Sequence, residues 1–167
     1  MSTSIQKQLD EAEGYLMLSL PRHALRILEQ RAEWGRMQFE ACLLQGEALR
    51  SLDQYRDALK PLEKAAILRP DDLHVALALG WCYKRTNRLA QAIDAIERAR
   101  RANPDEPLLR YNLACYWSLA GNVAKAVEEL SAAIKMDPEL RSLLSTETDF
   151  DPIRNLPEFI RLAAATV

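Results

Sequence analysis

A 34-residue period constrains this chain more than any other feature. From starting points at Ile5, Phe39, Leu73 and Pro107, equivalent positions hold like residues four times over. The eighth position is Ala12, Gly46, Gly80 and Ala114, always small. The eleventh is Tyr15, Leu49, Tyr83 and Trp117, always large. Alanine fills the twentieth four times (Ala24, Ala58, Ala92, Ala126), and the twenty-fourth is aliphatic throughout (Leu28, Leu62, Ile96, Leu130). A proline closes three of the units, at Pro70, Pro104 and Pro138. Within each unit the apolar residues fall at helical spacing in two runs separated by turn residues, which predicts a helix–turn–helix. One apolar face of such a unit is covered only by its neighbour, so stability comes from stacking and a lone unit should not fold.

The most regular unit runs from Leu73 to Pro104. Its fixed points are Ala76, Leu79, Gly80, Tyr83, Ala92, Ile96, Ala99 and Pro104, with a turn at Thr86–Arg88. Gly80 and Ala92 are small where two helices must cross closely. These residues at these offsets resemble the tetratricopeptide repeat, with departures at Ala76 and Ile96, where the family has Trp and Phe. The resemblance implies an all-α fold: a right-handed superhelical solenoid of four helix–turn–helix pairs closed by a short helical cap. The predicted repeats are 5–38 (divergent), 39–72, 73–106 and 107–140, followed by a capping segment at 141–167.

Local chemistry refines that frame. Pro21 starts the second helix of the first repeat, where its missing N–H costs little. Arg31 and Arg36 stand where later repeats carry alanine and proline, as suits a terminal repeat, and Trp34-Gly35-Arg36 allows an irregular connection. Asp53 is read as the N-cap of the next second helix. Pro61 falls inside that helix and predicts a kink. Gly121 supplies a positive φ to the last turn. In the cap, Leu156, Phe159 and Ile160 are expected to pack inward.

Composition and motifs narrow the function. A formal charge of −2 lacks the basic footprint of nucleic-acid binding, and Arg98, Arg100 and Arg101 complement a helix C-terminus. Three widely spaced cysteines, Cys42, Cys82 and Cys115, form neither a disulfide nor a zinc framework and fit a reducing, cytoplasmic setting. No apolar run reaches membrane-spanning length and no secretion leader is evident. His23 and His74 lie outside any catalytic motif, and no phosphate-binding glycine loop exists. No enzyme activity, cofactor or metal is expected. A thiol-dependent enzyme or redox regulator using Cys82 and Cys115 is the remaining catalytic reading.

A binding surface is the alternative. In a solenoid of helix pairs the first helices line a concave groove. His74, Leu77, Trp81 and Arg85 fall on a stripe separate from the packing residues. The same offsets give Glu40, Leu43, Glu47 and Ser51 before them, and Leu108, Tyr111, Cys115 and Leu119 after; Leu9, Glu13 and Met17 extend the row. Trp81 and Tyr111 are read as amphipathic anchors, Asn112 as a backbone clamp, Lys84 and Arg85 as positive charge, and Glu40 and Glu47 as an acidic half. The opposing reading packs Trp81 against Tyr111 or the cap as core. Some tetratricopeptide domains hold a C-terminal carboxylate with a Lys, Asn and Arg clamp, but the matching columns here (Leu9 and Glu13, Leu43 and Leu44, His74 and Ala78) keep no cationic pair. The expectation is a non-catalytic module binding a protein or peptide partner, or else a secretion- or assembly-type chaperone. Self-association through Ile160 and Leu162 is a further option.

Overall fold

The structure, a computed structural model, describes residues 2–164; Met1 and the last three residues of the predicted cap, 165–167, lie outside the described residues. All regular structure among them is helical. The second helices start at Pro21, Tyr55, Leu89 and Val123, each 34 residues after the last, so the sequence period is the helix period.

The chain forms two compact units, one through Arg88 and one from Leu89. The first holds α1 (Ser2–Met17), α2 (Pro21–Leu28), a short 3₁₀ turn at Gly35–Met37, α3 (Gln38–Ser51), α4 (Tyr55–Leu68) and α5 (Leu73–Arg85). The second holds α6 (Leu89–Ala102), α7 (Pro107–Leu119), α8 (Val123–Met136), 3₁₀ turns at Pro138–Leu143 and Thr148–Phe150, and α9 (Pro157–Ala164). In the first unit α1 packs on α2, α3 on α4, and α5 on α3 and α4; in the second, α7 packs on α6 and α8.

The repeated columns are the core. All four alanines of the twentieth position are 0% exposed, as are Leu62, Ile96 and Leu130, with Leu28 close behind. Burying each such leucine or isoleucine contributes roughly 1.5–3 kcal/mol. The small eighth column lets the backbones approach. A Cβ built at Gly46 would overlap the Leu62 side chain on α4.

Each first helix ends the same way. Ser19, Asp53, Asn87 and Gly121, again 34 apart, all have positive φ, between 57° and 76°. The amide of the next residue donates to the carbonyl of the eleventh-column residue, Leu20 to Tyr15 at 2.8 Å and Asn122 to Trp117 at 2.9 Å, with the matching bonds at Gln54 and Arg88. This is the Schellman arrangement, in which a left-handed residue reverses the chain and satisfies the last carbonyls. Gly121 does this without steric cost. Asp53 therefore is not the N-cap of α4: it is the left-handed residue, and Gln54 holds the cap position without a side-chain bond. Functional N-caps occur at Asp72, Glu106 and Asn122, which accept from Val75, Leu108 and Lys125. α4 runs unbroken through Pro61, which is buried. In the second unit Glu129 of α8 lies 2.9 Å from Arg110 of α7 and 3.9 Å from Arg100 of α6. Of Arg98, Arg100 and Arg101, Arg100 is thus turned to an acid of α8, and Arg101 lies 3.9 Å from Glu97 on its own helix.

Candidate functional site

Most of α5 is buried: Val75, Ala76, Ala78, Leu79, Gly80, Cys82 and Tyr83 all face the interior. What remains is one helical stripe, spaced by three and four residues. On it His74, Trp81 and Arg85 are exposed and Leu77 and Lys84 half-buried. Trp81 keeps 38% of its surface in contact with solvent. The ammonium of Lys84 sits 4.2 Å from its ring centroid. A cation–π contact of this exposed kind stabilises by about 0.5–1 kcal/mol and orients the ring. Arg85 lies over the ring of Tyr55, 5.0 Å from its centre. The stripe thus offers a flat aromatic with Lys84 against its ring and Arg85 one turn beyond.

The expected acidic half is different in character. Glu40 accepts from Arg69 at 2.6 Å and Glu47 from Arg50 at 2.6 Å. Each carboxylate is neutralised by an arginine from its own unit, so α3 does not present a bare acidic surface. Leu9 is buried in the core of the first unit rather than lining a surface.

In the second unit the equivalent stripe of α7 is covered in its middle, while Leu108 and Leu119 at its ends are exposed. Tyr111 and Cys115 are buried, because the C-terminal segment folds back onto this helix. Phe150 meets Tyr111 edge-on at 5.7 Å between ring centres and Phe159 at 5.4 Å. Desolvation by burial pushes the Tyr111 hydroxyl up, and Cys115, Glu147 and Asp149 push it the same way. Asn112 donates its amide to the Leu108 carbonyl at 2.8 Å, which spends one of its donors on its own helix. Arg154 fastens the fold-back: its guanidinium donates to the Leu144 carbonyl at 2.7 Å, the Glu147 carbonyl at 2.6 Å and the Asp151 carboxylate at 2.9 Å. Of the residues expected to pack inward, Phe159 is buried and Leu156 half-buried, but Ile160 is exposed. An eight-residue helix at the surface buries one side only, and Phe159 takes it. Phe150 and Ile153, both fully buried, do the packing that was expected of Ile160. Their signal was present in the sequence as an Asp-Phe-x-x-Ile turn ahead of Pro-x-Phe. Nothing local marked Arg154 as its clamp.

The thiols do not look like nucleophiles. All three are buried, and burial raises the Cys82 pKa to about 11, with Glu47 adding to the rise and Arg50 opposing it. A reactive cysteine needs the opposite shift. Among the described residues no group of three His, Cys, Asp or Glu side chains could hold a metal ion, and no helix among them is long and apolar enough to cross a membrane. The thiol yields a prediction. The fold holds Cys82 above its unfolded value of 9.0, so it binds the proton more tightly than the unfolded chain does. Its contribution to stability is fully present below about pH 9 and is lost as pH rises toward about 11. At pH 8 a thiol reagent should label the native protein slowly and the denatured protein at once. Rapid native labelling of Cys82 near neutral pH would restore the thiol-enzyme reading.

Comparison with known proteins agrees with this architecture. A tetratricopeptide-repeat family model matches residues 49–114. A crystal structure of MamA superposes with a TM-score of 0.81 over 97% of this chain and 89% of that one, at 19% identity. The 41-end form of MamA from Desulfovibrio magneticus RS-1 gives a TM-score of 0.73, at 20% identity over 96% of this chain and 97% of that one. YrrB, described as a TPR protein with an unusual peptide-binding site, gives 0.73 at 22% identity, covering 83% of this chain and 71% of that one. No curated protein matches the chain. At these identities the likeness shows the fold, a solenoid of helix pairs.

Proposed function

We propose that this chain, a tetratricopeptide-repeat protein, works as a non-catalytic protein-interaction module that takes a peptide or helix of a partner on the exposed stripe of α5. The observation that carries the reading is Trp81: a large aromatic left 38% exposed on a helix whose other aromatic ring, Tyr83, is buried, with the Lys84 ammonium 4.2 Å from its ring centroid. Rigid, partly exposed tryptophans are the residues most enriched among binding hot spots. His74, Leu77 and Arg85 extend the contact along one helical stripe, and Glu47 of α3 is the acid predicted beside it. YrrB is described as having a peptide-binding site, which supports a peptide as the occupant here. Tyr111 and Cys115 enter this reading only as the support beneath the C-terminal segment, and Asn112 as a half-buried neighbour of theirs.

The test compares the proteins retained from the native host by the wild type and by Trp81→Ala, quantified by mass spectrometry. The variant should lose a specific partner, with affinity falling about thirtyfold or more, as truncating a hot-spot tryptophan costs 2 kcal/mol or more. Its melting temperature should stay within a few degrees of wild type, because the indole is partly solvated already. An unchanged set of retained proteins would remove α5 as the binding surface.

A further inference from the structure

The second helices of the first unit carry a feature that the α5 stripe does not explain. α2 stops after eight residues, where α4 runs for fourteen. The missing turns, replaced by the irregular connection that includes Trp34, leave an open groove of about 800 Å³ between α2, α3 and α4. Its floor carries Leu28, Trp34, Leu49 and Pro61, of which Leu49 is half-buried and the rest buried, beside Gln38, Gln45 and Gln54. Its walls are cationic. Arg56, Lys60 and Lys64 line it from α4, at successive four-residue steps on one helical face, and Arg31 lines it from the other side. Against these four cations stand only Glu29 and Asp57, in a chain whose formal charge is −2.

Two further observations point to an occupant. Arg56, Lys60 and Lys64 make no ion pair among the described residues. Like charges four apart on a helix repel one another, so the row weakens α4 unless an anion meets it. Pro61, one residue beyond Lys60, has no N–H, so it cannot bond the Asp57 carbonyl as a helical residue would; both residues line the groove. A partly apolar floor with a cationic wall whose α4 members have no ion pair is complementary to one kind of partner: an amphipathic protein segment with apolar side chains on one face and carboxylates beside them. We infer that this groove is a second docking site, and that it takes such an acidic amphipathic segment of a partner protein.

The experiment uses the full chain and a fluorescein-labelled sixteen-residue peptide with leucines on one helical face and glutamates on the other, followed by anisotropy. Binding is expected, weakening as salt rises. The exposed double variant Lys60→Glu/Lys64→Glu should lower affinity about tenfold or more, while Trp81→Ala leaves it unchanged. That last control separates this site from the α5 surface, so either can fail alone. Circular dichroism of the double variant should match wild type, since both side chains are exposed and one like-charge pair four residues apart is exchanged for another. The inference is overturned if the peptide does not bind, or if a leucine-free glutamate peptide binds equally well. It is also overturned if Trp81→Ala abolishes the signal or a single-stranded oligonucleotide competes better than the peptide. A concentration-dependent dimer lost in the double variant would give the groove to a second copy and overturn it too.

Discussion

Replacing Phe150 with alanine should destabilise the second unit more than any other single truncation in the C-terminal segment. Phe150 is 0% exposed and lies between Tyr111 on α7 and Phe159 on α9, with ring centres 5.7 and 5.4 Å away. Truncating a buried phenylalanine costs about 3–5 kcal/mol, part of it from the edge-on aromatic pairing, worth roughly 0.5–1.5 kcal/mol beyond area. For a chain of this size that corresponds to a fall in melting temperature of about 6–20 °C. The loss has a location as well as a size. Without Phe150 the fold-back loses its anchor, and the Arg154 bonds to Leu144, Glu147 and Asp151 must hold α9 alone. Limited trypsin digestion should then cut at Arg154 and Arg161 well before α7 and α8 are attacked. Tyr111, whose hydroxyl burial now holds well above the ordinary tyrosine range, should titrate at lower pH than in the wild type in an alkaline absorbance scan. A variant that melts within about 1 kcal/mol of wild type would mean the segment is an appendage and Tyr111 is free for a partner.

That result would also show why part of the site was hidden in the sequence. The columns of the repeat could be read directly because each fills the same helix crossing four times, and Ala24, Ala58, Ala92 and Ala126 are buried alike. The groove stripe could be read only as a register. Its offsets put Trp81 and Tyr111 in the row facing a groove, but register does not say what lies over a helix. The first helix at the end of an array has no following repeat to flank it, so here a non-repeating segment closes over α7 and turns Tyr111 and Cys115 into core. Glu40 and Glu47 show the same limit for charge: their partners Arg69 and Arg50 stand 29 and three residues away, and only folding brings the first pair together. Asp53 failed for a different reason. Aspartate serves both as an N-cap and as a left-handed residue, and the backbone reversal between Ser51 and Tyr55 takes the second option. The groove beside α2 left a trace in the sequence as Arg31 where alanine was expected. An early helix end cannot be counted from one residue.

A large effect in the first unit should come from filling the crossing of α3 and α4. Gly46→Val is expected to lower stability by about 2–3 kcal/mol. Glycine inside a helix costs about 1 kcal/mol relative to alanine, so on propensity alone valine at position 46 would help or be neutral. Packing decides against it. The first carbon of that side chain would overlap the Leu62 side chain, and Leu62 is fully buried, with Ala58 and Ala65, also 0% exposed, one turn to either side of it. The leucine has nowhere to retreat, so α3 must move from α4 and open contacts along the crossing; overpacking of this kind costs about 1–3 kcal/mol. A double-mutant cycle isolates the cause. Leu62→Ala alone should cost about 2–5 kcal/mol by leaving a cavity, but it also removes the atoms that meet the new side chain. Gly46→Val combined with Leu62→Ala should therefore be less unstable than the sum of the two, with a coupling of about 1–3 kcal/mol. Additive losses in urea denaturation would mean that Gly46 is dispensable for this approach, and the small eighth column would lose its role as the spacing element of the repeat.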